Sequence, residues 1–277
     1  MNKSIKVLIG SPIRQEYEIL DNFINSLKDL INDGILVDYF FIDDNDDNNS
    51  RNLLNKFLKE SNRRVVIEPG KIIDNYVRTE DTHFWKDNLI WQIAEYKNRI
   101  IQFSKQEAYD YLFLIDSDII LHPETLLHLI SIKKDIISEI FWTKWRKDSV
   151  ELPQIWLYDE YTLVPKKSFE VLSQAESDKR YTDFIGQLRT PGVYEVGGLG
   201  ACTLISKKAL DQGVNFNKIY NLSFWGEDRH FCIRAAALGL KLYVDTVYPA
   251  YHVYRKEDLK GIEDFRNRCK NDSIKNY

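Results

Sequence analysis

The chain has 277 residues, 44% hydrophobic and 29% charged, with 38 basic against 42 acidic side chains and a formal charge of −4. That balance supports a packed core and excludes both a disordered chain and the basic face of a nucleic-acid binder. Twelve glycines and seven prolines exclude collagen-like and linker-rich chains, and the length fits one α/β domain or two smaller units. Residues 5–9 form a short β-rich run that reads as a buried strand, with Gly10, Ser11 and Pro12 opening a loop. Residues 18–30 carry Ile19, Leu20, Phe23, Ile24, Leu27 and Leu30 at helical spacing, and Asn32, Asp33 and Gly34 stop that helix. A second strand over 36–42 runs into an acidic burst at 43–50, a helix over 51–58 follows, and 64–68 is a third strand. The spacing predicts a long amphipathic helix over 84–103. The strongly apolar strand 109–115 then runs straight into Asp116, Ser117 and Asp118. A helix begins at 123–130 with Pro123 in its first turn, where the missing N–H costs nothing, and 135–142 is another strand. From 144 to 191 the pattern weakens into a variable region, with a loop expected over about 173–189. A glycine-rich turn within 194–205 enters a strand, 228–238 is a helix closed by Gly239, and 240–245 is the last clear strand. The charged tail, 256–277, is expected to be partly ordered at best. Strands alternating with helices argue for βαβ units and a parallel sheet.

No run approaches the roughly 18 apolar residues of a membrane helix, and the apolar run in residues 1–10 is too short for a signal-peptide core. Cys202, Cys232 and Cys269 are odd in number and lack CxxC spacing, which supports neither a disulfide framework nor a cysteine zinc site. The expectation is a cytoplasmic protein, with room for peripheral contact at a membrane surface.

Chemistry concentrates at three places. Asp116 and Asp118 follow a buried strand, where ligands of open α/β sheets bind, and two carboxylates one residue apart suit a hard divalent cation. Taken alone, the triplet also fits a capping or solvated turn. Glu227 and Asp228 open a helix, where the dipole favours anions; they fit a helix-end charge or a general base. His252 lies just past the last strand and is either structural or a metal ligand. Trp142, Trp145, Trp156 and Trp225 fit sugar stacking or core packing.

The runs VLIGSP at 7–12, FFIDD at 40–44, KNR at 97–99, YLFLIDSD at 111–118, GGLGA at 197–201 and WGED at 225–228, together with His252, occur in one order over most of residues 4–255. In this they resemble the GT-A nucleotide-sugar glycosyltransferases, those of glycosyltransferase family 2 in particular. The resemblance implies an α/β, Rossmann-like GT-A fold: a mixed, mostly parallel sheet flanked by helices in a single domain over 1–255. Its nucleotide-binding half would be about 1–120 and its acceptor-binding half about 121–255. It also implies a nucleotide-diphosphate sugar donor, a carbohydrate or glycoconjugate acceptor, and Mn²⁺ or Mg²⁺. Ser11, Pro12, Arg14, Asn98, Arg99 and Ser117 would lie along the nucleotide and donor, and Asp43 or Asp44 would meet the nucleobase. Asp116 would face the ribose or the metal, Asp118 would bind the metal directly and His252 would complete the protein's share. Gly198 would let the backbone approach the donor sugar, and Trp225 would stack on the acceptor. If the reaction inverts the anomeric carbon, Asp228 is the base and Glu227 orients it or touches the acceptor. Arg229 and His230 after the acidic pair, and ISEIFWTKW at 137–145, are also similar to the Anp1/Mnn9-like mannosyltransferases, which retain configuration and would not use Asp228 as a simple base. A non-catalytic sugar-nucleotide binder and a nucleotidyltransferase are the competing readings; the latter is disfavoured by the single glycine and single arginine of residues 10–15.

Overall fold

Strand β1 (Ile5–Ile13) sends Val7, Ile9 and Ile13 to one face of the sheet and Leu8 to the other, each completely buried. A strand covered on both faces reads as a continuous apolar run, which is why the sequence signals it so clearly. The computed structural model describes residues 4–71, 77–78, 83–84, 86–223 and 226–275. After β1 come α1 (Tyr17–Lys28), β2 (Ile35–Asp43), α2 (Asn48–Glu60) and β3 (Val65–Pro69). Asp47 caps α2 by accepting from the Ser50 N–H at 2.9 Å. The long helix α3 (Asp87–Gln106) leads to β4 (Tyr111–Leu114), β5 (Ile119–Ile120), α4 (Thr125–Ile132) and β6 (Ile136–Thr143). The chain continues through β7 (Ile155–Trp156), α5 (Gln174–Leu188), β8 (Val193–Val196), β9 (Gly198–Leu199) and β10 (Thr203–Ser206). Then follow α6 (Lys207–Asp211), α7 (Glu227–Ala237), β11 (Leu242–His252) and α8 (Ile262–Lys275).

The main sheet runs β8-β11-β6-β10-β4-β1-β2-β3. Strands β4, β1, β2 and β3 are mutually parallel, as are β6 and β11, while β10 is antiparallel to both neighbours and β8 to β11. The expected mixed, mostly parallel sheet flanked by helices therefore forms. One face packs on α1, α2, α4 and α8, and the other on α3, α5, α6 and α7. Each fully buried side chain of the size of Phe23 or Phe113 contributes roughly 1.5–3 kcal/mol.

Four local outcomes differ from expectation. β1 does not stop at residue 9 but continues through Gly10, Ser11 and Pro12, because β2 flanks it to Ile13 and β4 to Gly10. Glycine is required at position 10, where a Cβ would lie 2.3 Å from the Ile100 side chain. Residues 173–189 are not a loop: they hold α5, capped by Ser173 accepting from the Glu176 N–H. Only Phe184 and Leu188 of that helix are buried, a stripe too thin for periodicity to reveal. The last strand is longer than predicted, with β11 running on through a register shift between Asp245 and Ala250 to His252. Nor does the tail dangle, since Ile262, Phe265 and Cys269 of α8 join the core beneath α1. Among the described residues no helix is long and apolar enough to cross a membrane. All three cysteines are buried, and none is joined in a disulfide.

Candidate active site

The carboxyl ends of β1 and β4 open onto a cleft of about 710 Å³. Pro12, Arg14 and Gln15 line it from the end of β1, Asp116, Ser117 and Asp118 from the turn after β4, and Gly226, Glu227 and Asp228 from the start of α7. Leu89, Ile90 and Ile93 of α3 form an apolar wall, with Trp145, Gln154, Trp156 and Tyr161 from the variable region opposite in sequence. Gly226 has φ 118°, a conformation L side chains rarely adopt, so glycine lets the chain turn sharply into α7.

His252 reaches the Asp118 turn through strand pairing. It pairs with Ile119 of β5, and the next residue, Val253, donates its N–H to the Asp118 carbonyl at 2.9 Å. Its Nε2 stands 3.7 Å from Asp118 Oδ2 and its Nδ1 2.8 Å from Thr143 Oγ1. Two carboxylates and an imidazole suit a hard or borderline divalent ion. Among the described residues no three His, Cys, Asp or Glu side chains are gathered closely enough to hold an ion alone. Of the residues expected to hold the ion, Asp118 and His252 are a pair that the fold brings together, and they could supply two protein ligands.

The centre of the site is a residue that sequence reasoning missed. Lys97 on α3 is 1% exposed, and its Nζ lies 2.7 Å from Glu227 Oε1, 3.0 Å from Asp228 Oδ1 and 3.9 Å from Asp116 Oδ1. Burial pulls the lysine's pKa down, but attraction to Asp116, Asp228 and Glu227 outweighs it, and the net shift is well upward. Burial raises Asp116, with Lys97 pulling it back and Asp118 and Glu227 pushing it further up. Asp228 is pushed up to about 7, first by burial, with Lys97 opposing and Glu227 and Asp116 adding to the rise. The available signal was position: residue 97 falls three after Ala94 and four before Ile101, placing a charge on the buried stripe of α3.

The other predicted residues fall into two groups. Pro12, Arg14, Asp116, Ser117, Asp118, Glu227 and Asp228 line the one cleft. Ser11 is completely buried inside β1, with its hydroxyl 3.3 Å from the Pro12 carbonyl. Asp43 accepts from the Asn45 backbone and side chain at 3.1 and 2.8 Å, which shapes the turn after β2. Asp44 is buried behind Arg14, 3.8 Å from its guanidinium, and accepts from the Tyr96 hydroxyl at 2.9 Å. Burial raises its pKa, while Tyr96 and Arg14 pull it back. Asn98 holds the segment after α6, donating to Asn217 Oδ1 at 2.8 Å and accepting from the Phe216 N–H at 2.7 Å. Arg99 is ion-paired with Glu68 of β3. Gly198 pairs with Trp156 across β9 and β7, and a Cβ there would lie 1.8 Å from the Trp156 ring. Its missing side chain therefore seats the indole that lines the cleft. Trp225 lies outside the described residues.

No family model matches the chain, and no curated protein matches it in sequence. In three dimensions it is similar to S. aureus TarS, with a TM-score of 0.53 and 15% identity over 92% of this chain and 38% of that one. The TarS 1–349 structure gives 0.52 and 12% over 90% and 60%. GalNAc-T7, solved with UDP, GalNAc and Mn²⁺, gives 0.54 and 16% over 92% and 44%. The fold is one that glycosyltransferases share. This chain spans less than two thirds of the length of each of these structures.

Proposed function

We propose that this protein is a metal-dependent glycosyltransferase, family 2-like, that moves a sugar from a nucleotide diphosphate to a hydroxyl of a carbohydrate or glycoconjugate with inversion. One observation carries the reading. The carboxylates after β4 and those opening α7 meet in a single cleft at the carboxyl edge of the sheet. Arg14, which lines the cleft, would meet the anionic donor, and the half-exposed Trp145 would supply a ring face for a sugar. Asp118 and His252, with Asp116 beside them, would hold Mn²⁺ or Mg²⁺, which when bound supplies positive charge opposite the departing diphosphate. Asp228 takes the acceptor proton, since a carboxylate raised toward neutrality is a stronger base than an ordinary aspartate. Glu227 fixes the approach of the acceptor or of Asp228.

The test is incubation with a panel of nucleotide sugars and Mn²⁺, following release of nucleotide diphosphate. Asp118→Asn should lower turnover at least about 100-fold, as losing a charged group at the reacting centre does. Undiminished turnover in that variant refutes the metal assignment, and no consumption of any donor by the unmodified protein refutes the function. The anomeric configuration of the product, read by NMR, decides between inversion and retention.

A further inference from the structure

The residues around Lys97 form a run in which every side chain makes a specific polar contact. Tyr96 holds Asp44 after β2, Asn98 holds the 216–217 segment, and Arg99 holds Glu68 on β3. These ties fix α3 along three directions, so Lys97 is delivered from a rigid post rather than from a free side chain. Its ammonium lies 5.1 Å from the Phe216 ring centroid, in a setting where attraction between charges is weakly screened. Three carboxylates from two distant parts of the chain face it: Asp116 from the turn after β4, and Glu227 and Asp228 from the first turn of α7. Without a cation between them these acids repel, and α7 begins just after the sharp turn at Gly226.

We propose that Lys97 is the positioning residue that locks the Glu227–Asp228 pair of α7 to the Asp116 turn, fixing the proton-accepting side of the cleft relative to the donor side. The inference rests on the glycosyltransferase reading of the cleft. Lys97 grips each acid of the pair by one oxygen, Oε1 of Glu227 and Oδ1 of Asp228, and so sets the direction of both carboxylates. A displacement of about 1 Å at such a position is enough to cost on the order of 100-fold in rate. On the same reading the donor would meet Arg14, Asp118 and the turn between β4 and β5, and Lys97 approaches that turn at Asp116, at 3.9 Å, well beyond its grip on Glu227 and Asp228.

The experiment compares Lys97→Met and Lys97→Arg with the unmodified protein, measuring kcat for transfer and, separately, the Kd of the nucleotide diphosphate by calorimetry. Lys97→Met should lower kcat at least about 100-fold and change the nucleotide Kd less than about threefold, and Lys97→Arg should recover to within about tenfold. Equal losses in kcat and nucleotide binding, or a kcat within about threefold of the unmodified protein, overturn the proposal. Because Lys97→Met strands three acids, Lys97→Met/Glu227→Gln removes one negative charge with the cation and is compared with Glu227→Gln alone. The double variant should bind nucleotide yet turn over at least about tenfold more slowly than the single one; equal rates overturn the proposal. An unmodified protein that turns over no donor refutes the function and this inference together. An active one that tolerates both Lys97 variants refutes the inference alone.

Discussion

Glu227→Gln tests whether the acidic pair acts as one coupled unit. Asp228 owes its upward shift to about 7 first to burial and then to the balance between Lys97, which lowers it, and Glu227 and Asp116, which raise it. The substitution removes one raising charge and keeps the shape of the side chain. Held on one ammonium at 2.7 and 3.0 Å, the two gripped oxygens stand at most about 6 Å apart. At an effective dielectric of about 20, a charge at that distance is worth roughly 3 kcal/mol, or about two pH units. Asp228 is 27% exposed, and solvent screening reduces the expected shift to about one unit. In the proposed role of base Asp228 works when deprotonated, so the rate should rise as pH climbs through its pKa, and Glu227→Gln should move that midpoint from about 7 down toward about 6. The assay is kcat for nucleotide release between about pH 5 and 9 with donor and acceptor saturating. An unmoved midpoint, or one that moves upward, refutes the coupling between the two acids.

Other parts of the molecule give equally direct outcomes. Glu139 is buried beside Asp245 on paired strands, and burial first, then Asp245, holds its pKa well above the usual carboxylate range. It folds protonated while the unfolded chain ionises near 4.5, so stability falls by up to about 1.4 kcal/mol per pH unit as pH rises above that value. Glu139→Gln should match the unmodified protein near pH 5 and exceed it near pH 7 in urea denaturation; parallel stability curves would sink this account. Gly198→Ala should destabilise the fold by about 2–3 kcal/mol, because its methyl must displace the Trp156 ring. It should also raise the acceptor KM by loosening the cleft wall, whereas an unchanged melting temperature would show that the ring yields freely.

The first half of the chain was legible because its strands are covered on both faces, and their apolar runs end where ligands bind. Asp116 and Asp118 stand at such an end, which is why the sequence draws attention to them. Further on, β7, β8 and β9 are too short to carry a period, and α5 hides its start in the Ser173 to Glu176 spacing. Lys97 lies in the KNR run and on the buried stripe of α3, but a lysine in an amphipathic helix ordinarily points to water, so the run alone does not show that it is buried. Its neighbours Asn98 and Arg99 are tied to the 216–217 segment and to Glu68, contacts that no local pattern announces. The meeting of His252 with Asp118 depends on the register shift in β11 and the short β5–β11 pairing, geometry that spans more than a hundred residues and leaves no local mark.

Tyr96 and Lys97 are consecutive, yet one reaches Asp44 after β2 and the other reaches the acids of α7. Neighbours on an α-helix diverge by about 100°, so a single turn of α3 reaches both the segment after β2 and the start of α7. Inserting or deleting one residue upstream in that helix would swing both contacts together, and neither end could be adjusted without spoiling the other. On the glycosyltransferase reading proposed above, donor and acceptor preference would then vary in the segments that hang from this frame, above all residues 144–173, where Trp145, Gln154, Trp156 and Tyr161 meet the cleft. On that reading, the helix that holds the acids of the cleft in place leaves specificity to be changed one loop at a time.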